Sequence, residues 1–170
     1  MIKSLMKKFL KRAFFALLAL ISAATLVIGI EILGGHPMGL FSGSRPAALG
    51  FNDGKFAPPS WKPNCVSSTV ESSDAVHYIA PITFSAAPEA TWKKLHALIA
   101  ADKSASVIKL DATYLYAEYK TPTLGFIDDV EFSLDVKGQR IHMRSASRLG
   151  VRDLGVNRKR IEALRAQLAK

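Results

Sequence analysis

Residues 128–148 read DDVEFSLDVKGQRIHMRSASR, and the fold turns on how this stretch is paired. Val130, Phe132, Leu134 and Val136 alternate with Asp129, Glu131, Ser133 and Asp135, and beyond Lys137-Gly138 the residues Ile141 and Met143 alternate with Arg140, His142 and Arg144. A period of two marks a pair of strands. If Lys137-Gly138 is a two-residue hairpin turn, Val136 faces Gln139 and paired numbers sum to 275. Phe132 then meets Met143 and Leu134 meets Ile141. On the other face Glu131 meets Arg144, Ser133 meets His142 and Asp135 meets Arg140. A slip of one residue would set apolar side chains against charged ones, so the pattern specifies a single register.

The chain outward from this hairpin supplies the other elements. Residues 105–121, ASVIKLDATYLYAEYKT, read as two short strands about a turn near Asp111-Ala112. Upstream, Val76, Tyr78, Ala80, Ile82 and Phe84 alternate with His77, Ile79, Pro81 and Thr83, and Pro81 places that strand at an edge or a bulge. Pro88 suits a helix start, and Trp92, Leu95 and Ile99 form one face of a helix of three to four turns. His96 lies at the margin of that face. A last helix is expected from Asn157 to Lys170, with Ile161, Leu164 and Leu168 as its apolar stripe. The fold class is therefore α+β: a β-α-β-β-β-β-α domain over residues 64–170, an antiparallel sheet with both helices on its apolar face.

Residues 31–63 are rich in breakers, among them Gly34-Gly35, His36-Pro37, Asn52-Asp53-Gly54 and Pro58-Pro59, and read as an irregular linker. Before it, Ala13–Ile30, AFFALLALISAATLVIGI, has no charge across eighteen residues. At about 1.5 Å per residue that run approaches a bilayer core in length. Residues 1–12 hold five cations and no acid, whereas Glu31 follows the run. The charge bias predicts a basic cytoplasmic tail (1–12), a transmembrane helix (13–30) and a main domain outside the cytoplasm, on the inner membrane. Ser22 and Ala24 would also suit a cleaved signal peptide, but the run is longer than a secretory apolar region requires.

The net charge of +9 is not one basic surface. Residues 71–135 carry ten acids and five bases, and residues 137–170 carry ten bases and two acids. This division argues against nucleic-acid binding and for pairing within the domain, with the lipid bilayer and an envelope protein or anionic ligand as partners. One cysteine, Cys65, excludes an internal disulfide.

No phosphate-binding glycine loop, nucleophile motif or zinc-helix motif occurs, and neither a cofactor nor a metal is expected. Three clusters can carry chemistry. In the first, Asp129 and Glu131 share a strand face while Asp128 points away, which favours structural ion pairs with Arg144 and its neighbours over a shared proton or a cation. In the second, Cys65 stands before Ser67 and Ser68, where a thiol nucleophile would need a base from His77, His96 or His142. A structural turn is the simpler reading. The third is the arginine loop after the hairpin. Arg148, Arg152, Asn157 and Arg158 surround Gly150 and Gly155 near a helix start, and an anion would suit them unless Asp128, Asp129 and Asp153 neutralise the cations. Two functions follow: a binding or scaffolding module using this loop, or a hydrolase-like or thiol enzyme using Cys65 or the Asp129/Glu131 pair.

Pro63-Asn64-Cys65-Val66-Ser67-Ser68, His77-Tyr78-Ile79, Asp128-Asp129-Val130-Glu131-Phe132 and Arg144-Ser145-Ala146-Ser147-Arg148, continuing through Gly150, Asp153, Gly155, Asn157 and Arg160, together resemble the bacterial and plastid family of unknown function DUF1499. The resemblance covers about residues 50–170. It implies membership without an activity. Relatives often carry a second cysteine shortly before the Asn-Cys pair, where this chain has Pro59.

Overall fold

The computed structural model describes residues 2–33 and 41–170, and in the N-terminal helix it describes the side chains of residues 6, 8 and 10–26. The chain divides into two units, Met1–Met38 and Gly39–Lys170. The first is helix α1 (Ile2–Leu33). Phe14, Phe15, Leu20 and Leu26 are exposed on it. The hydroxyls of Ser22 and Thr25 are satisfied within the helix: Ser22 Oγ donates to the Leu18 carbonyl at 2.8 Å and Thr25 Oγ1 lies 2.9 Å from that of Ser22. Among the described residues no helix is long and apolar enough to cross a membrane. The expected span runs to Ile30, and the side chains of residues 27–30 lie outside the described ones, as do Gly34-Gly35 and His36.

The second unit contains β1 (Cys65–Ser67), β2 (Ile82–Thr83), α2 (Pro88–Ala101), β3 (Ala105–Leu110), β4 (Tyr114–Lys120), β5 (Ile127–Asp135), β6 (Arg140–Ser147) and α3 (Val156–Leu168). The strands form one antiparallel sheet in the order β1-β6-β5-β4-β3, with β2 also paired to β6. Strands β5 and β6 hold the expected register, with Glu131 opposite Arg144, Phe132 opposite Met143 and Asp135 opposite Arg140. The turn itself differs. Left-handed backbone falls on Gln139 (φ 48°), not on Gly138, whose N–H donates to Asp135 Oδ1 at 2.8 Å. A Cβ on Gly138 would meet the ends of the Asp135 and Arg140 side chains, which would have to shift to admit it.

Alternation sorts the sheet into two faces. Leu115, Phe132 and Met143 form one fully buried row and Leu134 faces Ile141 beside it. Trp92, Leu95 and Ile99 of α2, with Ile161 and Leu164 of α3, complete this core. Each such side chain contributes about 1.5–3 kcal/mol on burial. Both helices therefore serve the apolar face, as their spacing predicts.

Two readings need correction. The strand expected over residues 76–84 is reduced to Ile82–Thr83. The Asp74 carboxylate accepts the N–H groups of Val76 (3.2 Å) and His77 (3.1 Å), which curls the chain into a turn, and Pro81 has no N–H for a ladder. Val76 is consequently exposed while Ile79 is buried, the reverse of the expected alternation. Cys65–Ser67, read as a turn, is a strand on β6, with Cys65 opposite Ala146. Residues 41–63 are irregular as expected, yet they cover the polar face of the sheet. Phe56 is buried, Phe51 stacks on His142 with ring centroids 5.6 Å apart, and Gly50 N–H donates to Glu131 Oε1 at 2.7 Å.

Candidate functional site

The polar face carries a buried charge network. Strand alternation aligns Tyr114, Tyr116 and Glu118 on β4 with Asp129, Glu131 and Ser133 on β5. Glu131 is fully buried and accepts from Tyr114 Oη (2.8 Å), Gly50 N (2.7 Å) and Arg144 Nη1 (3.3 Å). Arg144 Nε is buried without an acceptor among the described residues. Arg148 donates to Asp129 from Nε (3.0 Å) and Nη2 (2.7 Å), and from Nη2 to Glu118 Oε1 (2.5 Å). Arg45, from the covering segment, reaches the same Glu118 oxygen at 2.7 Å.

These contacts set the ionisation of the cluster. Its hydrogen bonds to the Asp129 and Glu118 carboxylates hold Arg148 more firmly charged, against the desolvation that opposes them. Desolvation works to raise Glu118, but hydrogen bonds from Arg148, Arg45 and Tyr116 outweigh it and the carboxyl lies below its ordinary value. Burial, reinforced by the neighbouring carboxylates, pushes the Tyr114 and Tyr116 phenols well up. The face is arranged to keep charges paired and protons fixed.

Asp128 leaves β5 on the other face, as expected, and belongs to a second cluster. Arg160 Nη2 donates to it at 2.6 Å, and the Arg160 guanidinium lies 4.5 Å from the centre of the Tyr119 ring. Asn157, fully buried, links the segments at this end of the sheet. Its Oδ1 accepts from Ser145 Oγ (2.5 Å) and Arg160 Nη1 (2.8 Å), and its Nδ2 donates to the Asn64 carbonyl (3.1 Å), Ser147 Oγ (3.0 Å) and Asp153 Oδ2 (2.9 Å). Asp153 accepts the N–H groups of Gly155 (3.0 Å) and Asn157 (2.9 Å). Desolvation opposes its charge, but these bonds prevail and its pKa lies below the usual carboxylate range.

Of the four residues expected to meet an anion, three are occupied internally. Arg148 is held by Asp129 and Glu118, Asn157 is buried, and Arg158 Nη2 donates to the carbonyls of Val76 (3.1 Å) and Tyr78 (2.9 Å). Arg152 alone of the four is exposed and makes no hydrogen bond or ion pair with a described residue. Glu131 and Arg144 pair across the strands as expected, whereas the partner of Asp129 is Arg148.

The groups weighed for catalysis are dispersed. Cys65 is buried, its thiol contacts the Val66 carbonyl at 3.8 Å, and desolvation raises its pKa. A nucleophilic thiol requires the opposite shift. Asp129 and Glu131 are each committed to a separate arginine. Among the described residues no group of three His, Cys, Asp or Glu side chains is placed to hold a metal ion. A cleft of about 840 Å³ beside α2 and the end of α3 contains none of the expected site residues, and one of about 520 Å³ beside Trp92 and Leu134 contains only His96 of the groups weighed for catalysis.

Tyr114, Tyr116 and Glu118 join the polar network without being among the expected site residues. Their i, i+2, i+4 spacing opposite Asp129 and Glu131 was the signal that could have included them. Arg45 had no such signal, because nothing local ties an irregular segment to a strand 73 residues later.

A family model described as "Protein of unknown function (DUF1499)" matches residues 55–168. No curated protein and no solved structure matches the chain.

Proposed function

The chain belongs to the family of unknown function DUF1499, and from that footing we propose that it is a membrane-anchored, extracytoplasmic binding module whose contact surface is the arginine loop around Arg152. The observation that carries this reading is the exposure of Arg152 beside cations that are spent internally. Arg148, Arg158 and Arg160 each have a protein partner, while Arg152 leaves its fork of donors to solvent. A guanidinium so placed suits a phosphate or carboxylate group. Anchoring is supported by the charge-free run Ala13–Ile30 after five cations, which also favours an N-terminus in the cytoplasm and a domain beyond the inner membrane.

The test is recovery of bound molecules from mildly solubilised membranes, with lipids and proteins both identified. Arg152→Ala should fold normally and lose the anionic species that the wild type retains. Lys103→Ala, which removes another exposed cation, should retain it. The same species recovered in equal amounts with both variants would defeat the reading.

A further inference from the structure

The end of the sheet where β1 begins and β6 finishes is built from three segments. Asn64 Nδ2 donates to the Gly150 carbonyl at 3.0 Å, His77 Nε2 lies 3.1 Å from the Lys62 carbonyl, and Arg158 ties α3 to the Val76 carbonyl. Residues 61–64, 76–78 and 149–158 are thereby brought together. Their apolar side chains are unusually open: Trp61 is 75% exposed, Val76 53%, Val151 47% and Leu154 86%. Leu154 also has left-handed backbone (φ 56°), uncommon for a residue other than glycine. Its conformation is imposed by Asp153, which grips the N–H groups on its far side. A fold that fixes a large apolar side chain outward, in an unfavourable backbone region, gains nothing from it in water.

Cations outnumber acids around these side chains. Lys62, Arg152 and, just beyond the third segment, Lys159 accompany them, while Asp153 is occupied with backbone N–H groups and Asp74, beside Val76, with the N–H groups of Val76 and His77 and the His77 ring. Exposed apolar side chains among cations, with a tryptophan beside them, match an interfacial lipid-binding surface: apolar groups enter the boundary of headgroups and acyl chains while cations meet phosphates.

We propose that this end of the domain docks on an anionic phospholipid surface, with Leu154 and Trp61 entering the interface and Arg152, Lys62 and Lys159 contacting headgroup phosphates. The proposal rests on the binding function placed at Arg152 and names its ligand class. It is tested with the full chain reconstituted in phosphatidylcholine vesicles, with or without phosphatidylglycerol, some lipids being brominated near the headgroup. The two tryptophans are separable: Trp92 is buried, and the difference between the wild type and Trp61→Phe isolates the Trp61 emission. Trp61 emission should shift to the blue and be quenched by brominated lipid, more strongly when phosphatidylglycerol is present. Leu154→Asp should reduce the quenching severalfold, Arg152→Ala should weaken the phosphatidylglycerol dependence, and Lys103→Ala should change neither. Trp61 emission identical to that in neutral detergent would overturn lipid docking. Protection of Trp61 only by a co-purified protein would overturn it also. If Arg152→Ala still loses an anionic species from solubilised membranes while Trp61 never meets lipid, the binding function stands and only its ligand class is wrong. If Arg152→Ala loses nothing in either experiment, both fail.

Discussion

Arg148 and Asp129 face each other across the sheet through Nε–Oδ2 at 3.0 Å and Nη2–Oδ1 at 2.7 Å, with side chains 6% and 1% exposed. Two buried, oppositely charged groups in this geometry are interdependent: loss of either leaves the other charged in a poor solvent. Arg148→Ala should therefore destabilise the domain by roughly 3–5 kcal/mol, the range for breaking a buried pair. Arg152→Ala should remain within about 0.5 kcal/mol of the wild type, as exposed substitutions do. Urea titrations at equal denaturant slope make the comparison. Equal losses at the two positions would contradict the division of the loop into one structural and one free arginine.

A second prediction concerns Glu131 and Arg144. The Glu131 carboxylate is fully buried and takes three donors, so Glu131→Gln and Arg144→Met should each be costly, about 3 kcal/mol or more. A double-mutant cycle should show coupling, with the double variant better than the sum of the singles. Additive losses would mean that Gly50 and Tyr114, not Arg144, satisfy Glu131.

Topology is open to a direct test. Native Cys65 is buried, and its raised pKa makes it a slow target for thiol reagents. Lys103 is exposed just after α2, so Lys103→Cys in a Cys65→Ser background offers an accessible thiol. A membrane-impermeant maleimide should label it in intact spheroplasts. Labelling that requires lysis of the inner membrane would place the domain in the cytoplasm.

The parts of this fold legible in the sequence are those in which neighbours along the chain also decide the outcome. The β5–β6 register followed from alternation about a short turn, because apolar and charged partners sort only one way. The faces of α2 and α3 followed from Trp92, Leu95 and Ile99 and from Ile161 and Leu164. What stayed hidden depended on distant partners. Strand β1 is three residues long and exists by pairing with Ala146, some 80 positions away, so local periodicity cannot reveal it. The curl at Val76 is decided by the Asp74 side chain, which competes with the ladder for backbone N–H groups. The arginine loop was identifiable as a cationic segment. Which of its arginines remained free depended on Asp129, Asp128 and the carbonyls of Val76 and Tyr78.

The last prediction joins the polar face to pH. His142 lies under the Phe51 ring, its Nδ1 is 3.2 Å from Ser68 Oγ, and that oxygen also accepts the Met143 N–H at 3.0 Å. Desolvation, followed by the nearby positive charge of Arg140, lowers the imidazole pKa, with Asp135 opposing weakly. A histidine whose pKa is lower folded than unfolded binds fewer protons in the native state. Its contribution is therefore fully present above the ordinary value of about 6.5 and is lost as pH falls below it. Thermal melts should show the wild type losing stability between about pH 7.5 and pH 5.5, a window set by that value. His142→Gln should show a flatter dependence over the same interval, since the other histidines are common to both proteins and cancel in the difference. Phe51→Ala should flatten it as well, by admitting water to the imidazole. Parallel curves for wild type and His142→Gln would mean that the covering segment leaves His142 solvated and does not seal the polar face there.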